Sequence, residues 1–334
     1  MALAKVRRSA AAPTVVDLFA GAGLFSYAFA REGFNVVRAI EMNKLAVRTY
    51  AANLGDHIEQ ADVASARPYG RCDVLVAGPP CQGFSTLGTR RKDDPRNHLS
   101  RHVVRFARAM EPQVVVIENV PAFCQSEVWQ QATGALRRLG YQIAVFLVNA
   151  ADYGVPQLRL RSFTLAHRGP APRMPRQRAA WGTVREAFEG LPETPDGRNF
   201  HYSPAPSPIA LARMKVIPPG GDKRDIMRRA PHLVPRSWRA LAKTRAQATD
   251  VWGRMIWDAP SNTLRTALQN ASKGRYIHPD QHRVISLREA ARLQTIPDAW
   301  TFEGEPYPVA RQIGNSVPPR LGRAVARSVM RALG

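Results

Sequence analysis

The stretch Asp73-Val74-Leu75-Val76-Ala77-Gly78-Pro79-Pro80-Cys81-Gln82-Gly83-Phe84-Ser85 joins a short apolar run to a loop carrying two prolines and a cysteine. A run of that apolarity, closed by Gly and Pro, reads as a buried strand. The cysteine then leaves the strand end on a loop whose backbone the prolines stiffen. Open α/β sheets place their chemistry there, outside the carboxyl ends of the strands. Taken alone, the stretch reads equally as a turn with an incidental thiol, because free cysteine commonly behaves as a small buried hydrophobe. The surrounding chain separates the two readings.

Strand-like and helix-like segments alternate on both sides of it. Thr14–Phe19 is an apolar run, followed by a glycine-rich turn at 21–23 and an amphipathic stretch to Glu32. Asn35–Glu41 reads as a second strand, and Asn43 is placed to cap a helix running to about Asn53. Further strands are expected around His57–Gln60 and at 73–77, 113–117, 142–148 and 161–166, with helices near 98–110 and 127–139. This spacing predicts an α/β fold with a doubly wound, mostly parallel sheet. From Gly169 to about Trp257 the chain turns rich in Pro and Arg and loses periodicity, while Trp181, Phe200, Tyr202, Trp238 and Trp252 require something to pack on. Order returns at Ser286–Thr295 and in the basic amphipathic helix Pro319–Leu333. The expected organisation is a catalytic domain over 1–170, completed by 301–334, and a smaller loop-rich domain over 171–300.

The 334 residues carry a formal charge of +22, and 41 of the 48 basic residues are arginine. Residues 171–256 hold 16 basic and 7 acidic side chains, so a polyanion-binding face is expected in the second half. Arginine's planar fork suits phosphate and guanine, and a charge this large favours nucleic acid over small acidic substrates. Three cysteines, Cys72, Cys81 and Cys124, make no disulfide framework and have the wrong spacing for zinc, so a reducing compartment and no metal are expected. No run approaches the length of a membrane span, and Met1–Arg8 lacks the apolar core of a signal peptide, so no membrane association is expected.

Three further groups fall at strand ends. Asp17-Leu18-Phe19-Ala20-Gly21-Ala22-Gly23 follows the first strand and opens a helix, where glycines admit close backbone approach and free N–H groups face a ligand. Glu41 ends the second strand, as does the acid that binds ribose hydroxyls in dinucleotide folds, and Asp62 follows the third. Either acid also reads as an ordinary helix cap. Glu118-Asn119-Val120 sits at the tip of the run Val114–Ile117, a costly place for a carboxylate unless it is paired or protonated. In Gln157-Leu158-Arg159-Leu160-Arg161 the polar side chains alternate, so an extended chain would present them on one face.

The ordered set Asp17–Gly23, Gly78–Ser85, Glu118–Val120, Gln157–Arg161, Arg283–Trp300 and Gly314-Asn315-Ser316-Val317-Pro318 resembles the motif series of the carbon-5 cytosine DNA methyltransferases of bacterial restriction-modification type. The resemblance spans the chain except roughly 171–255, which corresponds to that family's variable target-recognition region. It implies a Rossmann-like S-adenosylmethionine-dependent sheet acting on double-stranded DNA in the bacterial cytoplasm, at the nucleoid. It also implies a monomer, and leaves room for a separately acting cognate restriction endonuclease.

Residue by residue, the resemblance makes Cys81 the nucleophile toward carbon 6 of cytosine and Glu118 the acid at ring N3 and the exocyclic amine. Arg159 and Arg161 would bind the base and its phosphate surroundings. Phe19, Gly21, Gly23, Leu24, Glu41, Met42, Asp62, Val63, Pro80, Leu99, Asn315 and Val317 would line the S-adenosylmethionine pocket. Gln82 to Arg91, including Ser85 and Arg90, match a loop that closes over DNA, and Gln157 would support the strand beside it and share in binding DNA. Where the family carries a Gly-Gly pair this chain reads Gly23-Leu24, and Arg96-Asn97-His98-Leu99 is a looser match. Two other readings share the fold. A transfer-RNA methyltransferase would carry a Cys-Phe-Thr motif in the recognition region, which is not found here. A catalytically silent DNA-binding regulator would have lost the nucleophile or the acid, and both Cys81 and Glu118 are present.

Overall fold

The computed structural model describes residues 12–80, 99–241 and 251–334. Its centre is a seven-stranded sheet. Strands β1 (Thr14–Leu18), β2 (Asn35–Glu41), β3 (Ile58–Gln60), β4 (Val74–Ala77) and β5 (Val114–Asn119) run parallel, while β6 (Gln142–Asn149) and β7 (Leu160–His167) form an antiparallel extension. The order across the sheet is β3-β2-β1-β4-β5-β7-β6. The central strands are continuous apolar runs because helices cover both of their faces, which removes the alternation of a half-exposed strand.

Helix α1 (Leu24–Arg31) joins β1 to β2, and α2 (Lys44–Leu54) joins β2 to β3. The Asn43 side chain caps α2 by accepting from the N–H groups of Leu45 and Ala46, the role its position in the sequence assigned it. Helices α3 (Ser100–Met110) and α4 (Glu127–Arg138) bury Val103, Phe106 and Leu136 against Val16, Leu75 and Val115 on one face. On the other face, α1 packs Phe25 and Phe29 beside Leu321, Val325 and Val329 of the last helix.

The second region begins after β7 and contains short helices: α5 (Val184–Phe188), α6 (Pro208–Val216), α7 (Lys223–Arg229), α8 (Arg236–Leu241) and α9 (Leu287–Leu293). Three of the aromatic residues expected to pack do so, Trp238 meeting Trp252 and Phe200 meeting Phe302 edge to face, while Trp181 and Tyr202 stay exposed; the buried Trp300 meets Tyr27 of α1. Helix α10 (Pro306–Asn315) contributes Val309, Ala310 and Ile313 to the same core, along with Leu24. Helix α11 (Pro319–Leu333) then returns to the sheet, tied to α1 by Arg323 and Arg327, which both bond Glu32. The charged stripe of α11 is thus partly an internal ion-pair face. Among the described residues no helix is long and apolar enough to cross a membrane, and no group of three or more metal-ligating side chains is present.

Candidate active site

Parallel pairing brings the ends of β1, β2, β3, β4 and β5 to one rim of the sheet. Leu18 pairs with both Ile40 and Ala77, Ala77 with Ile117, and Glu41 with Gln60. Phe19, Glu41, Asp62, Gly78–Pro80 and Glu118 therefore share that rim. Because β7 runs the opposite way, its start lies there too, with Asn119 opposite Ser162. A reversed strand is what delivers Arg161 to the carboxyl ends of its neighbours.

The tip of β5 and the loop after β4 are joined by side-chain bonds. Asn119 donates from Nδ2 to the carbonyl of Pro79 at 3.2 Å and accepts the Val120 N–H at 2.9 Å. Ser162 donates to the carbonyls of Asn119 and Val120. Glu118 meets Arg161 with an Nε–Oε1 distance of 3.1 Å, both side chains being largely buried. The cost of a carboxylate at an apolar strand tip is thus offset by a guanidinium partner.

A cavity of about 710 Å³ opens over this rim, a size that suits a nucleoside-scale ligand. Its wall includes Phe19, Gly21, Leu24, Glu41, Met42, Asp62, Val63, Pro80, Leu99, Asn315 and Val317, together with Glu118, Arg159 and Arg161. Gly23 is not in the wall. It stands at φ 92°, and a Cβ there would lie 2.7 Å from the Tyr50 ring, so this glycine serves the turn and the docking of α2. Glu41 accepts the Gly21 N–H at 3.0 Å with one oxygen and the Asn43 N–H at 2.8 Å with the other, leaving each oxygen a further lone pair toward the cavity. Asp17 is buried below it and accepts from Ser26 Oγ at 2.6 Å. Burial pushes the Asp17 carboxyl up to about 7; the Ser26 hydrogen bond opposes that rise and the charge of Glu41 adds to it.

In the arginine segment Gln157 and Arg159 both reach Leu264, and Arg159 and Arg161 both line the cavity. Gln157, expected to reach DNA, is fully buried: its Oε1 accepts the Leu264 N–H at 3.0 Å and its Nε2 donates to Gln294 at 3.1 Å. A bridge between Gln157 and Ser261 turns it inward, so it braces the second region against the strand and is not available to DNA. Arg159 is also buried and donates to the carbonyls of Leu264, Gly314 and Ser316 at 2.9 to 3.2 Å, locking the end of α10 at Asn315 in place. Of the three polar side chains, Arg161 is the one beside Glu118. Cys81, Gln82, Ser85, Arg90 and Arg91 lie outside the described residues.

Sequence reasoning missed one wall of the cavity, formed by Lys44 and Leu45 at the start of α2 and by Pro308 and Arg311 on α10. A signal existed for the first pair, since a cap at Asn43 puts them in the turn after Glu41. For the second pair the signal is helical spacing, with Arg311 one turn and Pro308 two turns before Asn315.

A family model for C-5 cytosine-specific DNA methylases matches residues 13–331. This chain belongs to that family. It is a DNA cytosine-5 methyltransferase. Among its relatives, Type II methyltransferase M1.HphI of Haemophilus parahaemolyticus is 32% identical over 95% of this chain and 87% of that protein. Type II methylase M.HgiDII of Herpetosiphon aurantiacus is 31% identical over 96% of this chain and 95% of its own length. A solved structure from E. coli, described as a DNA modification methyltransferase encoded within a prophage, superposes with a TM-score of 0.67 at 26% identity, covering 96% of this chain and 99% of that one. The methyltransferase shares its fold alone with the Dnmt2 structure of S. pombe, at 15% identity and a TM-score of 0.67 over 96% of this chain and 99% of that one.

Proposed function

We propose that this methyltransferase modifies a flipped cytosine in a specific double-stranded DNA sequence through a transient bond between Cys81 and carbon 6 of the base. The observation that carries this reading is the Glu118–Arg161 pair held beside Pro79 by Asn119, one residue from the Pro80-Cys81 junction. Carbon 5 of cytosine is a weak nucleophile, and adding a thiolate at carbon 6 turns it into an enamine carbon, which divides a hard step into easier ones. Glu118 would hold N3 and the exocyclic amine, accepting from the amine and supplying the hydrogen bond that N3 gains as charge builds. Arg161 would fix the Glu118 carboxyl so that its second oxygen faces the base. Arg159 supports this from behind by fixing the end of α10 at Gly314–Ser316.

The rest of the cavity fits S-adenosylmethionine. Glu41 has lone pairs for two vicinal hydroxyls, Phe19, Val63 and Leu99 offer apolar walls for a purine, and Asp62 offers an acceptor for an exocyclic amine. When bound, this donor supplies a sulfonium-activated methyl group. The target atoms are stacked in a duplex, so the base must be extruded, at a cost of a few kcal/mol. We assign phosphate and base-edge contacts to the basic second region. The names of the relatives support action beside a separate endonuclease with the same recognition sequence.

The test is a duplex carrying 5-fluorocytosine in the recognition sequence, found by bisulfite sequencing of DNA from cells that express the enzyme. With donor present, a denaturation-resistant complex should form with the wild type and not with Cys81→Ala. Absence of any trapped species, with methylation of the normal duplex intact, would overturn the covalent step. Trapping on RNA instead of DNA would turn the reading to the transfer-RNA class.

A further inference from the structure

On leaving β7 the chain passes the far end of α11, where a Cβ on Gly169 would touch the Ala332 carbonyl, and climbs back to the rim at Arg178. The Arg178 N–H bonds the Asp152 carbonyl, and its side chain lies flat across Gly154, whose added Cβ would meet Nη1 at 2.7 Å. Gly154 stands just past the end of β6, at the rim where β7 begins. Arg320, at the start of α11, reaches the same glycine and donates to its carbonyl at 2.7 Å. Two guanidinium groups therefore converge on one backbone unit.

Nothing described neutralises them directly. Arg178 makes no side-chain hydrogen bond or ion pair among the described residues, and the residue is exposed. Glu186, the acid nearest in charge to Arg320, is engaged by the Thr183 N–H in the cap of α5. Helix α11 adds positive character, since it opens without an acidic residue in its first turn and without a side-chain cap. Burial depresses the Arg320 pKa, the nearby Arg178 depresses it further, and Glu186 only partly opposes this. Beside the pair, Trp181 is 48% exposed, its indole fixed by a 2.9 Å bond to Asp152. Arg178, Trp181 and Glu186 line a shallow hollow of about 330 Å³.

Like charges held together at a helix N-terminus destabilise the free protein, an arrangement that an anionic ligand relieves. The ligand must reach the rim from outside. Arg320 is three residues beyond Val317 of the cavity wall, at most about 11 Å of extended chain. We infer that Arg178 and Arg320 seat a backbone phosphate of the DNA flanking the target cytosine, outside the recognition region's own contacts. This rests on the proposed reading of the enzyme as acting on duplex DNA. Such a contact carries no sequence information and serves to fix register.

The test compares wild type with Arg178→Gln and Arg178→Lys, which remove and keep the charge at a side chain with no described structural bond. Affinity for duplexes with and without the recognition sequence should fall roughly three- to tenfold in Arg178→Gln, equally for both, and the salt slope should drop by about one. Arg178→Lys should recover much of the loss, and single-turnover methylation at saturating DNA should stay at the wild-type rate. A duplex shortened on the flank that contacts this patch should bind wild type and Arg178→Gln equally. Unchanged affinity and salt slope in a folded Arg178→Gln enzyme that still methylates DNA would overturn the inference. So would equal relief by inorganic phosphate at matched ionic strength, which would mark a free-anion seat, or loss of binding to an acidic protein in place of DNA. If the wild type neither binds nor methylates duplex DNA, it is the functional reading that fails.

Discussion

Asn119 illustrates how one side chain couples two strands. It reaches the Pro79 carbonyl from β5 and so sets where the chain leaves β4 toward Cys81. Asn119→Ala should lower the single-turnover rate by roughly 10- to 100-fold through misplacement of the loop, with donor and DNA affinity little changed. A stopped-flow or quench measurement with saturating ligands checks this. Asp17 carries a different signature. Its folded-state pKa of about 7 lies above the ordinary 3.8, so between roughly pH 4 and 7 the folded chain holds a proton that the unfolded chain releases. Stability from this group is therefore highest below about pH 4 and declines as pH rises through 7. Asp17→Asn should flatten that decline, measured as the urea midpoint at pH 5 and pH 8.

At the scale of elements, the prop beneath the second region is a buried ion pair. Arg283 and Glu289 meet at 2.7 Å, and Glu289 also accepts from the N–H of Ser286, closing the capping box of α9. Burial would raise the Glu289 pKa, but the Arg283 hydrogen bonds and charge outweigh it and hold the carboxyl low. Glu289→Ala leaves a buried guanidinium without its carboxylate, holding only the neutral acceptors of Gln281 and Val284, and should cost about 3–5 kcal/mol, read from denaturant unfolding. The extent of β2 and the Asn43 cap were legible in the sequence because local chemistry decides them. The reversal of β7 was not, since alternation of side chains is the same whichever way a strand runs. The inward turn of Gln157 was equally hidden, because its partners Leu264 and Gln294 are more than 100 positions away.

For the whole molecule, net charge overstates the surface available to a polyanion. Arg254 lies in the most basic stretch, yet it is buried and donates to the carbonyls of Met214, Ile217, His278 and Gln281. Arg288 likewise spends its guanidinium on Asn199, Pro297 and Trp300. Composition counts these as surface cations, and only tertiary structure shows that they are internal struts. Enough exposed arginine remains that DNA affinity should fall roughly 1,000-fold between about 50 and 200 mM salt, as measured by fluorescence anisotropy. A nearly flat response would contradict broad phosphate neutralisation.

The inward turn of Gln157 also sets a limit on exchange between relatives. Since it and Arg159 grip Ser261, Leu264 and the end of α10 at Gly314–Ser316, the stretch after 251 is bolted to the catalytic strand. A segment transplanted to confer a new recognition sequence would have to stop short of that bolt, confining the interchangeable part to the interval between α5 and Val251. Longer transplants would carry away the fittings that align the chemistry.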